Sequence, residues 1–144
     1  MRAEFFLERI EECESRIDNK IDEIRRLEAL AEDITSHLSE VKTSASPNPF
    51  RAQDVWVKLM QVRDELFDEV DDLIDTKAEV IKQIEKLPPL EYDVLYKIYV
   101  SLHTVQEVAD AKNYTREGIY CIKRRAIEKL QKILDSDERV HKIS

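Results

Sequence analysis

Three histidines, two cysteines and 31 acidic side chains are the residues of this 144-residue chain with catalytic or metal-binding chemistry open to them. His37, His103 and His141 are scattered, with no carboxylate or cysteine at ligand spacing, and read as surface or loop residues. Cys13 and Cys121 form neither a spaced pair nor a ligand cluster. Acid pairs such as Asp71-Asp72 read as the solvated face of a helix rather than as a general acid and base. Gly118 is the single glycine, so there is no glycine-rich loop to cradle a phosphate. These patterns predict no enzyme, no cofactor, no metal site and no small-molecule substrate.

The chemistry that the spacing favours is recognition of a polyanion. The net charge is −8, but residues 1–89 carry 13 basic and 22 acidic side chains, whereas residues 112–132 carry seven basic against two acidic. A basic segment inside an acidic chain is a footprint of nucleic-acid binding. The stretch 115–130 reads TREGIYCIKRRAIEKL. On a helical wheel Ile119, Ile122, Ala126, Leu130 and Ile133 share one side, while Glu117, Tyr120, Cys121 and Arg124 point away. Arg116 and Lys123 lie on one flank of that outer face, Gly118 and Arg125 on the other. Such a helix can enter a major groove, where arginine pairs with guanine and a carboxylate accepts from cytosine. The expected base contacts are Arg116, Glu117, Tyr120 and Cys121. The expected phosphate contacts are Lys123, Arg124 and Arg125, with the helix N-termini at Thr104 and Thr115. Glycine inside a helix costs about 1 kcal/mol relative to alanine, so Gly118 is read as a point of close approach to the DNA, with tight packing against a neighbouring helix as the alternative.

The elements that must position this helix follow from periodicity. Ile10, Ile17, Ile24, Ala31 and Leu38 form one heptad set and Phe6, Cys13, Leu27, Ile34 and Val41 the other, broken only by Lys20. This predicts a long helix over 3–41. TSASPNPF, 43–50, predicts a loop. A second helix is expected over 51–87, with Val55, Leu59, Val62, Leu66, Val70, Leu73, Val80, Ile84 and Leu87 on one stripe. Phe67, Ile74 and Ile81 widen that stripe, which predicts a hairpin that also dimerises, against the alternative of a hairpin closed within a monomer. Trp56 is read as a core or interface residue. Pro88 and Pro89 end the second helix. Three shorter patterns follow, over 90–102, 104–112 and 115–134. In the second, Thr104 caps a two-turn helix, Ala109 permits close crossing and Asn113 takes the left-handed conformation of the turn. In the third, Thr115 is the cap and Tyr114 packs on Ile119 as a staple.

LPPLEYDVLYKIYV followed by TVQEVADAKNYTREGIYCIKRRAIEKLQKIL resembles region 4 of bacterial sigma-70 factors, over a third of the chain. The most specific parts are Glu107-Val108-Ala109, Thr115-Arg116-Glu117 and Arg125-Ala126 followed by Leu130. The resemblance implies a helix-turn-helix that reads promoter DNA and touches RNA polymerase, with Arg116 and Glu117 contacting DNA. Lys112, Asn113, Tyr120 and Cys121 depart from the family pattern, so the target is not assumed to be a −35 element. With its acidic helical N-terminus, the chain is similar to phage and prophage late regulators of the ArpU and RinA type.

The expected architecture is all-α: a coiled-coil-like hairpin over 1–87 for oligomerisation or partner binding, a helix-turn-helix domain over 88–136, and a flexible tail over 137–144. No apolar run reaches the roughly 20 residues of a membrane span, and MRAEFFLERIEE lacks the apolar core of a signal peptide. A cytoplasmic location follows. The expected partners are double-stranded DNA, a second copy of the chain and RNA polymerase. The expected function is transcriptional regulation of phage type. The alternatives are a small-terminase-like packaging protein and an adaptor that binds polymerase or a sigma factor with little DNA affinity.

Overall fold

The computed structural model describes the backbone of residues 1–40 and 49–143 and the side chains of residues 1–36 and 52–139. The described residues are all-helical, as the composition predicts, with no strand among them. Five α-helices run α1 (Ala3–Glu40), α2 (Pro49–Ile84), α3 (Pro89–Leu95), α4 (Val105–Lys112) and α5 (Arg116–Ile143), and a π-helical turn, Tyr96–Val100, extends α3. No helix among them is long and apolar enough to cross a membrane.

Packing divides the chain into two compact units, and the division does not fall at the prolines. One unit is Cys13–Asp72; the other joins Met1–Glu12 to Leu73–Ser144. Each long helix therefore contributes to both. The expected helix-turn-helix domain over 88–136 shares its unit with the start of α1 and the end of α2.

In the Cys13–Asp72 unit α1 and α2 are joined within one chain. Ile17, Ala31, Val55, Leu59 and Val62 are buried, and Ile24, Leu27, Ile34, Leu66 and Val70 are half-buried. Ion pairs cross between the helices at Arg16–Glu69 (3.0 Å), Lys20–Glu65 (2.6 Å) and Arg63–Glu28 (3.0 Å). Lys20, the break in the heptad, thus occupies its seam position by pairing with Glu65. The shared hydrogen bond raises the Lys20 pKa and lowers that of Glu65. Leu38 and Val41 lie outside the described side chains.

Two apolar clusters organise the other unit. The larger joins Phe6, Leu7 and Ile10 of α1 to Val80 and Ile84 of α2, Leu95 and Val100, and Ala126, Leu130 and Leu134 of α5. The smaller holds Val94 of α3, Val108 and Ala109 of α4, and Ile119 and Ile122 of α5. Adjacent residues of α3, Val94 and Leu95, face different clusters, so this short helix is buried on two sides. Gln131 ties the start of α1 to α5: its side chain accepts from the Ala3 N–H (2.7 Å) and donates to the Met1 carbonyl (2.9 Å).

Several element boundaries differ from expectation. Pro49 and Phe50 are inside α2 rather than in the loop, since proline at the first helical position loses no hydrogen bond; residues 43–48 lie outside the described residues. α2 ends at Ile84, and its last turn tightens through Leu87 N–H to Ile84 C=O (3.0 Å) before Pro88. The single helix expected over 90–102 becomes a short α-helix and a π-turn, closed by Ser101 N–H to Tyr96 C=O (3.0 Å), and Leu102 then takes φ 58. Residues 137–143, expected as a flexible tail, continue α5. Trp56, expected in a core or interface, is 51% exposed.

Candidate nucleic-acid interface

The α4–turn–α5 pair is fixed by local hydrogen bonds. The Thr104 hydroxyl accepts from the Glu107 N–H (3.1 Å) and donates to the Glu107 carboxylate (3.2 Å). This cap satisfies one of the free N–H groups at the start of α4. Asn113 ends α4 with φ 61 and ψ 39, and its N–H and that of Tyr114 both reach the Ala109 carbonyl. Asparagine tolerates this left-handed geometry better than most residues, which is why it serves in place of glycine. The Thr115 hydroxyl then accepts from the Gly118 N–H (3.0 Å) to cap α5.

Lys112 has a structural role at this junction. Both oxygens of Asp93 on α3 accept from Lys97 at 2.8 Å, and Lys112 joins the same carboxylate. The hydrogen bond from Lys112, followed by that from Lys97, holds the Asp93 carboxyl below its usual range. The C-terminus of α4 is thereby fastened to α3, and a cation stands where an apolar contact is usual for the resembled family.

Ile119, Ile122, Ala126 and Leu130 are buried, while Arg116, Glu117, Tyr120, Cys121, Arg124 and Arg125 are exposed. Ile133 is half-buried, and Leu134 beside it is the buried residue. The outer face of α5 is thus built of the expected side chains, but they are not equivalent. Lys123 is half-buried, its ammonium over the Tyr99 ring at 5.5 Å and the Tyr120 ring at 5.9 Å. Each such contact contributes on the order of 0.5–1 kcal/mol, so a phosphate must compete with two rings for this cation. Lys129 donates to Glu91 (2.9 Å). Of the seven basic residues over 112–132, Lys112, Lys123 and Lys129 are therefore engaged; Arg116, Arg124, Arg125 and Lys132 have no ion pair among the described residues.

An acidic border lies beside this face. Glu4 in the first turn of α1 lines a cleft of about 340 Å³ with Tyr120, Lys123, Arg124, Ile127 and Glu128. Burial, and then Glu4 and Glu8, push the Tyr99 hydroxyl up to about 12. Heptad spacing places Phe6 and Ile10 on a buried side but does not say that their helix ends beside α5, so sequence reasoning missed Tyr99, Glu4 and Glu8. Thr104 takes its expected place as the cap of α4, and its hydroxyl also donates to the Glu107 carboxylate.

Gly118 has a local reason. A Cβ there would lie 3.2 Å from the Thr115 hydroxyl and 3.6 Å from Cδ1 of the Tyr114 ring. The contact to Tyr114 would be ordinary, but that to the Thr115 hydroxyl would be tight, so the missing side chain eases the cap.

His103 is exposed; His37 and His141 lie outside the described side chains. Among the described residues no group of histidine, cysteine and acidic side chains is placed to hold a metal ion. Cys13 is buried, its sulfur accepting from Arg16 (3.4 Å), and Cys121 is exposed; the two are not joined in a disulfide.

These observations define an all-α protein with a short helix locked against a longer one that exposes a basic face. The chain belongs to the family described as protein of unknown function DUF1492, whose model matches residues 36–131. No curated protein and no solved structure matches it.

Proposed function

We propose that the chain is a sequence-specific DNA-binding regulator of transcription, with α4 and α5 acting as a helix-turn-helix and the first turns of α5 entering the major groove. The observation that carries this reading is the division of α5: Ile119, Ile122 and Ala126 are buried, while Arg116, Glu117, Tyr120, Cys121 and Arg124 stand together in solvent. The resemblance to sigma-70 region 4 supports the same use of Arg116 and Glu117 and brings with it contact with RNA polymerase, and the similarity to ArpU- and RinA-type regulators brings a phage-type regulatory role. Arg124 and Arg125 supply phosphate contacts. Lys123 acts by holding the Tyr120 ring rather than as a free charge.

Gel-shift titrations on a selected site, repeated over a salt series, test this assignment. Arg116→Ala loses about 1–3 kcal/mol of binding and relaxes selectivity at one base pair. Arg124→Ala weakens binding to all sequences and lowers the salt slope by about one. If both variants bind as the wild type does, α5 is not the reading helix. The mass of the complex distinguishes a dimer on two half-sites from a ring of eight or more subunits, which favours DNA packaging instead. Co-purification of polymerase without DNA, with no shift of any fragment, favours the adaptor.

A further inference from the structure

In the Cys13–Asp72 unit, Val55, Leu59 and Val62 are buried. About a third of a turn away round α2, at 100° per residue, Trp56, Met60 and Phe67 are 51%, 57% and 68% exposed. Spacings of four and seven residues put the three on one stripe, and Val57, also exposed, stands beside it. Scattered apolar side chains need no explanation, but a continuous helical stripe marks an interaction surface.

The stripe has an acidic edge. Asp64 is four residues after Met60 and three before Phe67, and Asp71 is four after Phe67, so both carboxylates neighbour the apolar side chains. Both are exposed, and Arg16, Lys20 and Arg63 pair with Glu69, Glu65 and Glu28 rather than with them. On the opposite edge a hollow of about 560 Å³ has the Trp56 indole and Arg63 on one side, Glu28 and Glu32 on the other, and Ala31 and Leu59 in its lining. It admits a large apolar side chain with a cation beside it.

We propose that this face docks a basic amphipathic helix of a partner protein. Apolar anchors at i, i+3, i+4 and i+7 lie on Trp56, Met60 and Phe67 and fill the hollow, while flanking lysines or arginines face Asp64 and Asp71. Charge decides the choice of occupant. This unit carries 8 basic and 15 acidic residues, a balance of −7, so a second copy would set one acidic edge against another. An anionic lipid surface is disfavoured for the same reason. The proposal does not depend on DNA binding, which is assigned to residues of the other unit.

Trp56 is the chain's one tryptophan, so its emission reports on this face directly. The probe is a synthetic amphipathic leucine–lysine helix of roughly five turns, added to the full chain, with a scrambled peptide of the same composition as control. The free protein should emit as a solvent-exposed indole. The amphipathic peptide should blue-shift the emission and protect it from a soluble quencher. Phe67→Ser should weaken binding at least about tenfold, as should the pair Asp64→Asn and Asp71→Asn, and the scrambled peptide should bind at least about tenfold more weakly. All these side chains are exposed, so the variants keep the fold. Unchanged Trp56 emission with peptide overturns the proposal, as does equal binding of the scrambled peptide. So does a mass that is twice that of the chain and halves in Phe67→Ser, which would make a second copy the occupant.

Discussion

The Cys13–Asp72 unit and the unit that joins Met1–Glu12 to Leu73–Ser144 share the helices α1 and α2, yet their surfaces differ. The first carries a net charge of −7 and the second, with 15 basic and 16 acidic residues, −1. The first leaves Trp56, Met60 and Phe67 in solvent; the second buries helix against helix in two clusters around α3 and α5. Two helices bury only one face each, whereas a short helix between several others is buried on two sides, as Val94 and Leu95 are. The contrast teaches that the denser core and the candidate reading surface share one unit, while the acidic hairpin leaves an apolar stripe open for the partner proposed above.

The largest effect should come from the cores. Leu130→Ala removes a fully buried side chain of the larger cluster and should cost about 2–5 kcal/mol in chemical denaturation, whereas Phe67→Ala, at an exposed position, should stay within about 0.5 kcal/mol. Equal losses would contradict the contrast between the units. Next comes backbone strain. Leu102 has φ 58, a conformation that leucine adopts at a cost of roughly 1–2 kcal/mol and glycine adopts freely, so Leu102→Gly should raise the denaturation midpoint. A lowered midpoint would mean that the Leu102 side chain contributes more than its backbone costs.

Smaller effects follow from titration in the unit that carries the reading surface. The Asp93 pKa is depressed by Lys112 and Lys97, so its stabilisation is complete above the ordinary carboxylate value of about 4 and is lost as the pH falls through the lower folded value. Asp93→Asn should remove that acid-side dependence and loosen the end of α4, seen as faster amide exchange at Ala111 and Lys112. At the alkaline end the Tyr99 hydroxyl is pushed up to about 12 against an ordinary value of about 10. Its contribution is intact below about 10 and declines as the pH rises towards 12. Tyr99→Phe should abolish this last phase in an absorbance-monitored alkaline titration; an unchanged titration would place another tyrosine in the buried position.

Much of the fold was legible because local chemistry decides it. Thr104, Asn113 and Thr115 are capping and turn residues whose geometry depends on near neighbours, and all three take the conformations that the sequence predicts. The buried side of α5 followed from its 3.6-residue period. The residues that the sequence left obscure depend on distant partners. Nothing near Lys112 announces Asp93, nineteen positions earlier, and nothing near Lys123 announces Tyr99. A heptad reports that Phe6 and Ile10 are buried but not by what. The π-turn at Tyr96–Val100 has no residue signal of its own, since Tyr96, Ile98 and Tyr99 fit an α-helical pattern equally well. Gly118, read as an approach to DNA, also stands where a Cβ would crowd the Thr115 hydroxyl at 3.2 Å, a contact that only the cap geometry reveals.

The central claim is that the exposed face of α5 reads DNA. Selection of bound fragments from random and phage DNA by the full chain, repeated with Arg116→Ala, tests it most directly. The account predicts a single enriched motif for the wild type, and for the variant the same motif with one position relaxed. No enrichment by the wild type, or an identical motif from the variant, would contradict it.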